Sequence, residues 1–288
     1  MLAKLGTTGW TAKSFSVFRV ALGLYVAGHF AALLPWAAEI FSSEGMVATA
    51  GDSPIFGLLP SVLGLSDSPT AVTVWMGVAA LSGFAIAANR YPRVAAVLAW
   101  YLGACFLGRN PLILNPALPH VGWVLLWFAA IPSQSGDKPW KLPPELYSAG
   151  WLLMGFGMTW SAITKLGSTS WMDGSALHYV WTNPLARDTS LRLWLLELPM
   201  EWVQLLTWGT LALELMALPV AFAPRLRPYV WTGLLLMHLG LLATVNFGDL
   251  SFGMLVVHTA LFDPRWLAGW ALRMTQLKGL APVSIPKA

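Results

Sequence analysis

Residues 201–222 read Glu-Trp-Val-Gln-Leu-Leu-Thr-Trp-Gly-Thr-Leu-Ala-Leu-Glu-Leu-Met-Ala-Leu-Pro-Val-Ala-Phe. A helix needs roughly 20 predominantly apolar residues to cross a bilayer, and after Glu201 the only ionisable side chain in this run is Glu214. Seven further apolar runs flank it, at 14–36, 71–88, 94–107, 118–131, 147–164, 228–246 and 250–266. The third and fourth runs in chain order are short and separated by 108–116, so they read as two short spans or one hairpin. With 57% hydrophobic residues, 10% charged residues and a mean hydropathy of +0.63, this chain cannot be arranged around one water-soluble core. The pattern predicts an all-α polytopic membrane helix bundle of about eight transmembrane helices. Residues 1–270 form its transmembrane domain, and 271–288 a flexible cytoplasmic tail.

An even number of spans puts both termini on one side. Of the 17 Lys and Arg residues, Arg109, Lys165, Arg187 and Arg192 fall on one face and all the others on the opposite face. The excess of positive charge in cytoplasmic loops therefore puts both termini in the cytoplasm and Lys165 outside. The pI of about 9.3 reflects these topology signals and gives no nucleic-acid reading. The first run is too long for a signal peptide, contains Arg19 and is followed by further spans, so it reads as the first helix.

The longest pieces outside the apolar runs, 37–70 and 165–200, lie on the outer side and would form a small helical cap. Gly45, Gly51, Pro54, Gly57 and Pro60 give the first piece turns and short helices. In the second, Trp171, Ser175, Leu177 and His178 have the spacing to share one short helix. Trp36, Trp171, Trp181, Trp194 and Trp202 suit the headgroup region, where an amphipathic ring is comfortable. The single Cys, Cys105, excludes an internal disulfide and a multi-thiolate metal site within this chain, and its apolar surroundings read as core.

Charged or imidazole side chains within hydrocarbon face a partner, a cavity or a substrate path, and four stand out: His29, Glu214, His238 and His258. Counting along the helices brings Glu214, His238 and His258 toward mid-bundle, where they either fix helix packing or line a cavity for a lipophilic molecule. One His per helix, without an HExxH or CxxC motif, gives no metal site. Lys165, the only Lys between Lys141 and Lys278, ends an apolar stretch. There it either binds terminal carbonyls as an anchor or, desolvated among Ile163, Leu166 and Trp171, serves as a base. Asp173 is the nearby carboxylate that would keep it charged.

The element Lys165-Leu-Gly-x3-Trp171-Met-Asp-Gly174-x-Ala-Leu177 resembles the HTTM (horizontally transferred transmembrane) family, the bacterial relatives of vitamin K-dependent γ-carboxylase. Glu214 within Leu-Glu-Leu, His238 and Asn246-Phe-Gly-Asp-Leu-Ser-Phe-Gly-Met254-x3-His258 extend the likeness. Phe18-Arg19-x3-Gly23, Phe41-Ser-x2-Gly45 and Arg109-Asn110-Pro111 extend it upstream. The resemblance implies a multi-pass protein of the bacterial cytoplasmic (inner) membrane with Lys165 as the catalytic base on a vitamin K-like hydroquinone. Asn110 matches the Asn of an Asn-His pair in the γ-carboxylase branch, and Pro111 stands where the His would be. The substrate or cavity set is then Asn110, Trp171, Asp173, Glu214, His238, His258 and His29.

Two functional classes follow. In the first, Lys165 performs base chemistry on a quinol or other lipophilic substrate, modifying a peptide or lipid at the extracytoplasmic face as a carboxylase-like lyase or an oxidoreductase. In the second, the chain is a non-catalytic membrane partner for a secreted peptide or a separate thiol-disulfide oxidoreductase. Transport through a proton path is a third and weaker reading, because no inverted repeat supports it.

Overall fold

The computed structural model describes residues 8–113, 115–132 and 140–267. The expected domain boundary at residue 270 and the tail at 271–288 lie outside the described residues. Each apolar run yields a helix: α1 (Ala12–Leu33), α3 (Pro69–Ala87), α4 (Pro92–Arg109), α5 (Ala117–Ala130), α6 (Pro144–Lys165), α10 (Met200–Ala221), α11 (Arg227–Thr244) and α12 (Gly248–Leu261). Short helices fill the intervening pieces: α2 (Ala37–Phe41), α7 (Thr169–Met172), α8 (Ala176–Thr182) and α9 (Ser190–Leu196). The segments Ala12–Phe41, Pro69–Ala87 and Met200–Ala221 are long and apolar enough to cross a membrane, whereas α5 and α12 are shorter apolar helices. Among the described residues there is no β-strand, only an isolated bridge between Ala186 and Val245.

Two boundaries differ from the sequence expectation. The third run forms an 18-residue helix, longer than its apolar core, because Pro92 supplies a pre-set first-turn φ and Arg109 extends the last turn. The eighth run stops at Leu261 after 14 residues instead of reaching Trp266. There Phe262 turns extended (φ −66°, ψ 132°), and Pro264 disfavours helical backbone at Asp263.

Helices α1 and α3 cross at backbone contact. A Cβ on Gly83 would fall within 3.0 Å of the Ala27 backbone, and one on Gly23 within 3.0 Å of the Ala87 backbone. Paired small residues let helices approach closely and gain packing that hydrocarbon surroundings do not otherwise drive. The same crossing brings Arg19 to the carbonyls of Ile86 (2.7 Å) and Ala87 at the end of α3. Arg93 likewise donates to the Ile131 carbonyl just beyond α5, and Arg227 to the Ala221 carbonyl ending α10 at 2.6 Å. Helix C-termini present unpaired carbonyls and partial negative charge, so these three arginines satisfy three helix ends at one end of the bundle.

The opposite end carries the cap. Arg109, fully buried, donates to Asp67 (3.2 Å) and to the Ser42 carbonyl (3.0 Å), and Ser53 donates to the Gly108 carbonyl (2.6 Å). The first loop is thereby tied to the end of α4. The second loop is split where one helix was expected: Gly174 has φ +84°, so Trp171 lies in α7 while Leu177 and His178 lie in α8, with Ser175 between them. A left-handed residue ends a helical turn, and glycine adopts it without Cβ strain.

Gly83→Ala is expected to destabilise the bundle by about 1–3 kcal/mol through overpacking against α1. Gly77→Ala on the same helix, where a Cβ would meet nothing within 4 Å, should be neutral or stabilising by up to about 1 kcal/mol. Thermal unfolding of both variants in the same detergent checks the difference.

Candidate functional site

The site begins with a missing hydrogen bond. Pro219 lies inside α10 and has no N–H to give the Leu215 carbonyl one turn earlier. Thr159 of α6 repairs this: its hydroxyl faces the Glu214 carbonyl (3.0 Å) and the Leu215 carbonyl (3.2 Å), and accepts the Leu218 N–H at 3.2 Å. Gly155, one turn back on α6, permits the approach, since a Cβ there would come 2.8 Å from the Ala217 carbonyl. These contacts set α6 antiparallel against α10 in a fixed register.

That register delivers Lys165 to Glu214. The Lys165 ammonium donates to both carboxylate oxygens, at 2.5 and 2.6 Å, and the two side chains are 24% and 6% exposed. The Trp171 ring lies 4.7 Å from the ammonium, adding a cation–π contact. Continuing the pairing of Thr159 with Glu214 and Leu215 puts the Lys165 backbone about level with Trp208. From there its side chain reaches back toward the middle of the bundle. Lys165 ends α6, yet it does not serve as the expected terminal-carbonyl anchor: the Leu166 and Gly167 N–H groups bond the last carbonyls instead.

The anticipated carboxylate partner, Asp173, is occupied elsewhere. It accepts the Ser175 N–H (2.8 Å) and hydroxyl (2.6 Å), and these bonds hold its carboxyl below the ordinary carboxylate range. Above the pair, Trp208 donates to the Met172 carbonyl (3.3 Å), Gln204 to the Asp173 carbonyl (2.9 Å), and the Leu177 N–H to the Thr207 hydroxyl (3.4 Å). The first two turns of α10 therefore extend past α6 and carry α7 and α8.

The other anticipated residues fall into three places. Asn110, completely buried, donates to the Ile40 carbonyl (2.8 Å) and accepts the Leu112 N–H (3.1 Å), so both of these bonds serve the loop. His238 and His258 pair in the core, Nδ1 to Nε2 at 3.1 Å, with His238 Nδ1 also 2.8 Å from the Leu234 carbonyl. A carbonyl only accepts, so the network gives His238 its proton on Nδ1 and leaves His258 Nε2 as acceptor. His258 Nδ1 is then a buried donor without a partner among the described residues. His120 of α5 was not anticipated. Its Nδ1 meets the Pro116 carbonyl at 3.0 Å, and its buried Nε2 has no partner among the described residues. Its signal in the sequence was an imidazole inside an apolar run, the same criterion that selected the other three. His29 lies apart, on α1, paired with Asp249 at 2.9 Å.

No group of three or more His, Cys, Asp or Glu able to hold a metal occurs among the described residues. Comparison with family models, curated proteins and solved structures returned no match.

Thr159→Val removes the hydroxyl but keeps the shape. It is expected to lower stability by about 1–3 kcal/mol, because the Leu215 carbonyl and Leu218 N–H lose their partner. Thr159→Ser should retain most of the stability, and denaturation of the two purified variants measures this.

Proposed function

We propose that the chain is a multi-pass protein of the bacterial cytoplasmic membrane whose Lys165–Glu214 pair handles a proton on a lipophilic substrate. The observation that carries the reading is the two-pronged contact between the Lys165 ammonium and the Glu214 carboxylate, beside the Trp171 ring. In the proposed topology all eight long helices cross or enter the membrane, both termini are cytoplasmic, and the α7–α9 cap is extracytoplasmic.

An ion pair in a low-dielectric setting has lost its hydration, and that loss largely offsets its attraction. Transfer of one proton from Lys165 Nζ to Glu214 removes both charges and leaves an amine lone pair. That amine then takes a proton from an acidic O–H brought against it, which leaves Lys165 as an ammonium paired with the substrate oxyanion and Glu214 as the neutral acid. The original pair returns once Glu214 releases its proton to water. The Trp171 face offers a planar head a stacking surface beside Nζ. These residues fit a phenolic head of the kind implied by the resemblance to vitamin K-dependent γ-carboxylase. When bound, a hydroquinone would supply the acidic O–H and the reducing electrons for modification of a peptide or lipid.

A second reading is favoured by the apolar side chains exposed on the cap, Tyr179, Leu191, Leu193 and Trp194. They would hold a secreted peptide or a separate thiol-disulfide oxidoreductase.

Mass spectrometry of small molecules retained by the gently purified protein tests the main reading. A quinone should co-purify with the wild type and fall by at least about tenfold in Lys165→Met/Glu214→Met, which removes a charge-assisted hydrogen bond. Phospholipid alone in both preparations would leave the partner reading ahead.

A further inference from the structure

Helices α1 and α12 flank an open groove of about 760 Å³ that neither Lys165 nor Glu214 lines. On α1 it follows a single stripe, Ala21, Leu24, Gly28, His29 and Ala32, and on α12 a facing stripe that includes Asp249, Phe252, Leu255 and Thr259. Ala21 to Leu33 is about 18 Å of helix, somewhat more than half the roughly 30 Å hydrocarbon thickness, so the groove matches one lipid tail of a single leaflet. Small side chains hollow it, and at Gly28 a Cβ would meet nothing within 4 Å.

One end of this apolar groove is polar and built. His29 Nδ1 lies 2.9 Å from Asp249 Oδ1, the Asn115 amide donates to Asp249 Oδ2, and Asn115 itself is 3% exposed and fixed by the Ala117 N–H at 2.8 Å. The Tyr25 ring stacks on the imidazole, with centroids 6.1 Å apart. A carboxylate only accepts, so with a neutral imidazole the Nδ1 proton points at Asp249 and Nε2 carries a lone pair. Among the described residues Nε2 has no protein partner, and His29 lines the groove. Each Asp249 oxygen accepts one of these bonds, and His29 Nε2 is the ring atom turned to a ligand head.

We infer that this groove binds a single-chain lipid alcohol, its hydroxyl donating to His29 Nε2 and its tail lying between α1 and α12. A fatty acid is disfavoured because its carboxylate would face the Asp249 charge. A long-chain amine is disfavoured because its ammonium gives up far more hydration than a hydroxyl on entering an apolar groove. The assignment is independent of the chemistry at Lys165.

Hexadecan-1-ol carrying a diazirine in its tail, photolysed with the full-length protein in nanodiscs, tests the site by peptide mass spectrometry. The label should concentrate on α1 and α12 and should be competed about fivefold better by hexadecan-1-ol than by hexadecanoate or hexadecylamine, the worth of one hydrogen bond. Gly28→Leu fills the groove without a backbone clash and should reduce labelling there by more than about tenfold, since several methylenes lose their burial. His29→Phe should reduce it about fivefold. Uniform labelling of all lipid-facing helices, equal or better competition by the acid or the amine, or labelling unchanged in folded Gly28→Leu would each overturn the assignment. Should Gly28→Leu fail to fold, competition on the wild type decides alone.

Discussion

A carboxylate on a helix in hydrocarbon must find a cation or give up its charge, and Glu214 finds Lys165. Much of the local structure follows from that demand. The two residues meet only if α6 and α10 lie close and in register. Gly155 makes the closeness possible, and the Thr159 hydroxyl, inserted where Pro219 leaves a carbonyl unpaired, fixes the register. With α6 so placed, α10 extends beyond its end, and α7 and α8 pack on the turns that remain. Trp171 then lies against the ammonium as a consequence of the same stacking.

The contrast between Lys165 and the arginines sharpens its meaning. Arg19, Arg93 and Arg227 each donate to carbonyls at a helix end, the ordinary use of a cation there. Lys165 also stands at a helix end, yet it turns from the carbonyls to a side chain that can exchange a proton with it. A guanidinium does not give up its proton under such conditions, whereas an ammonium can. Elsewhere in the core His238 and His258 pair with each other, and His258 Nδ1 and His120 Nε2 have no partner among the described residues.

The order of the helices was legible because long apolar runs separated by polar turns leave few alternatives, and each run became a helix. The ends were less legible where one residue decides them: the apolar count ran past Asp263-Pro264, and the Trp171–His178 spacing ignored Gly174. The site was half legible. Lys165, Trp171 and Glu214 were all singled out, but Asp173 seemed the nearer partner because it is nearer in sequence. Ser175, two residues away, claims that carboxylate first. The pairing with Glu214 depends on helix register, which arises from a glycine, a threonine and a proline on two helices and has no linear signature. Asn110 was singled out only through a resemblance, and its bonds to Ile40 and Leu112 serve the loop. The Asn115–Asp249–His29 chain joins three distant segments and could not be assembled from spacing.

A double-mutant cycle on Lys165→Met and Glu214→Met, read as unfolding free energy in detergent, tests the pairing most directly. Each single variant should lose about 3 kcal/mol, the low end for stranding one member of a buried pair because Lys165 keeps some solvent access. The double variant should lose about 3–5 kcal/mol instead of the additive sum of about 6, giving a coupling of about 1–3 kcal/mol. Additive losses would contradict the pairing and leave Lys165 a simple surface anchor.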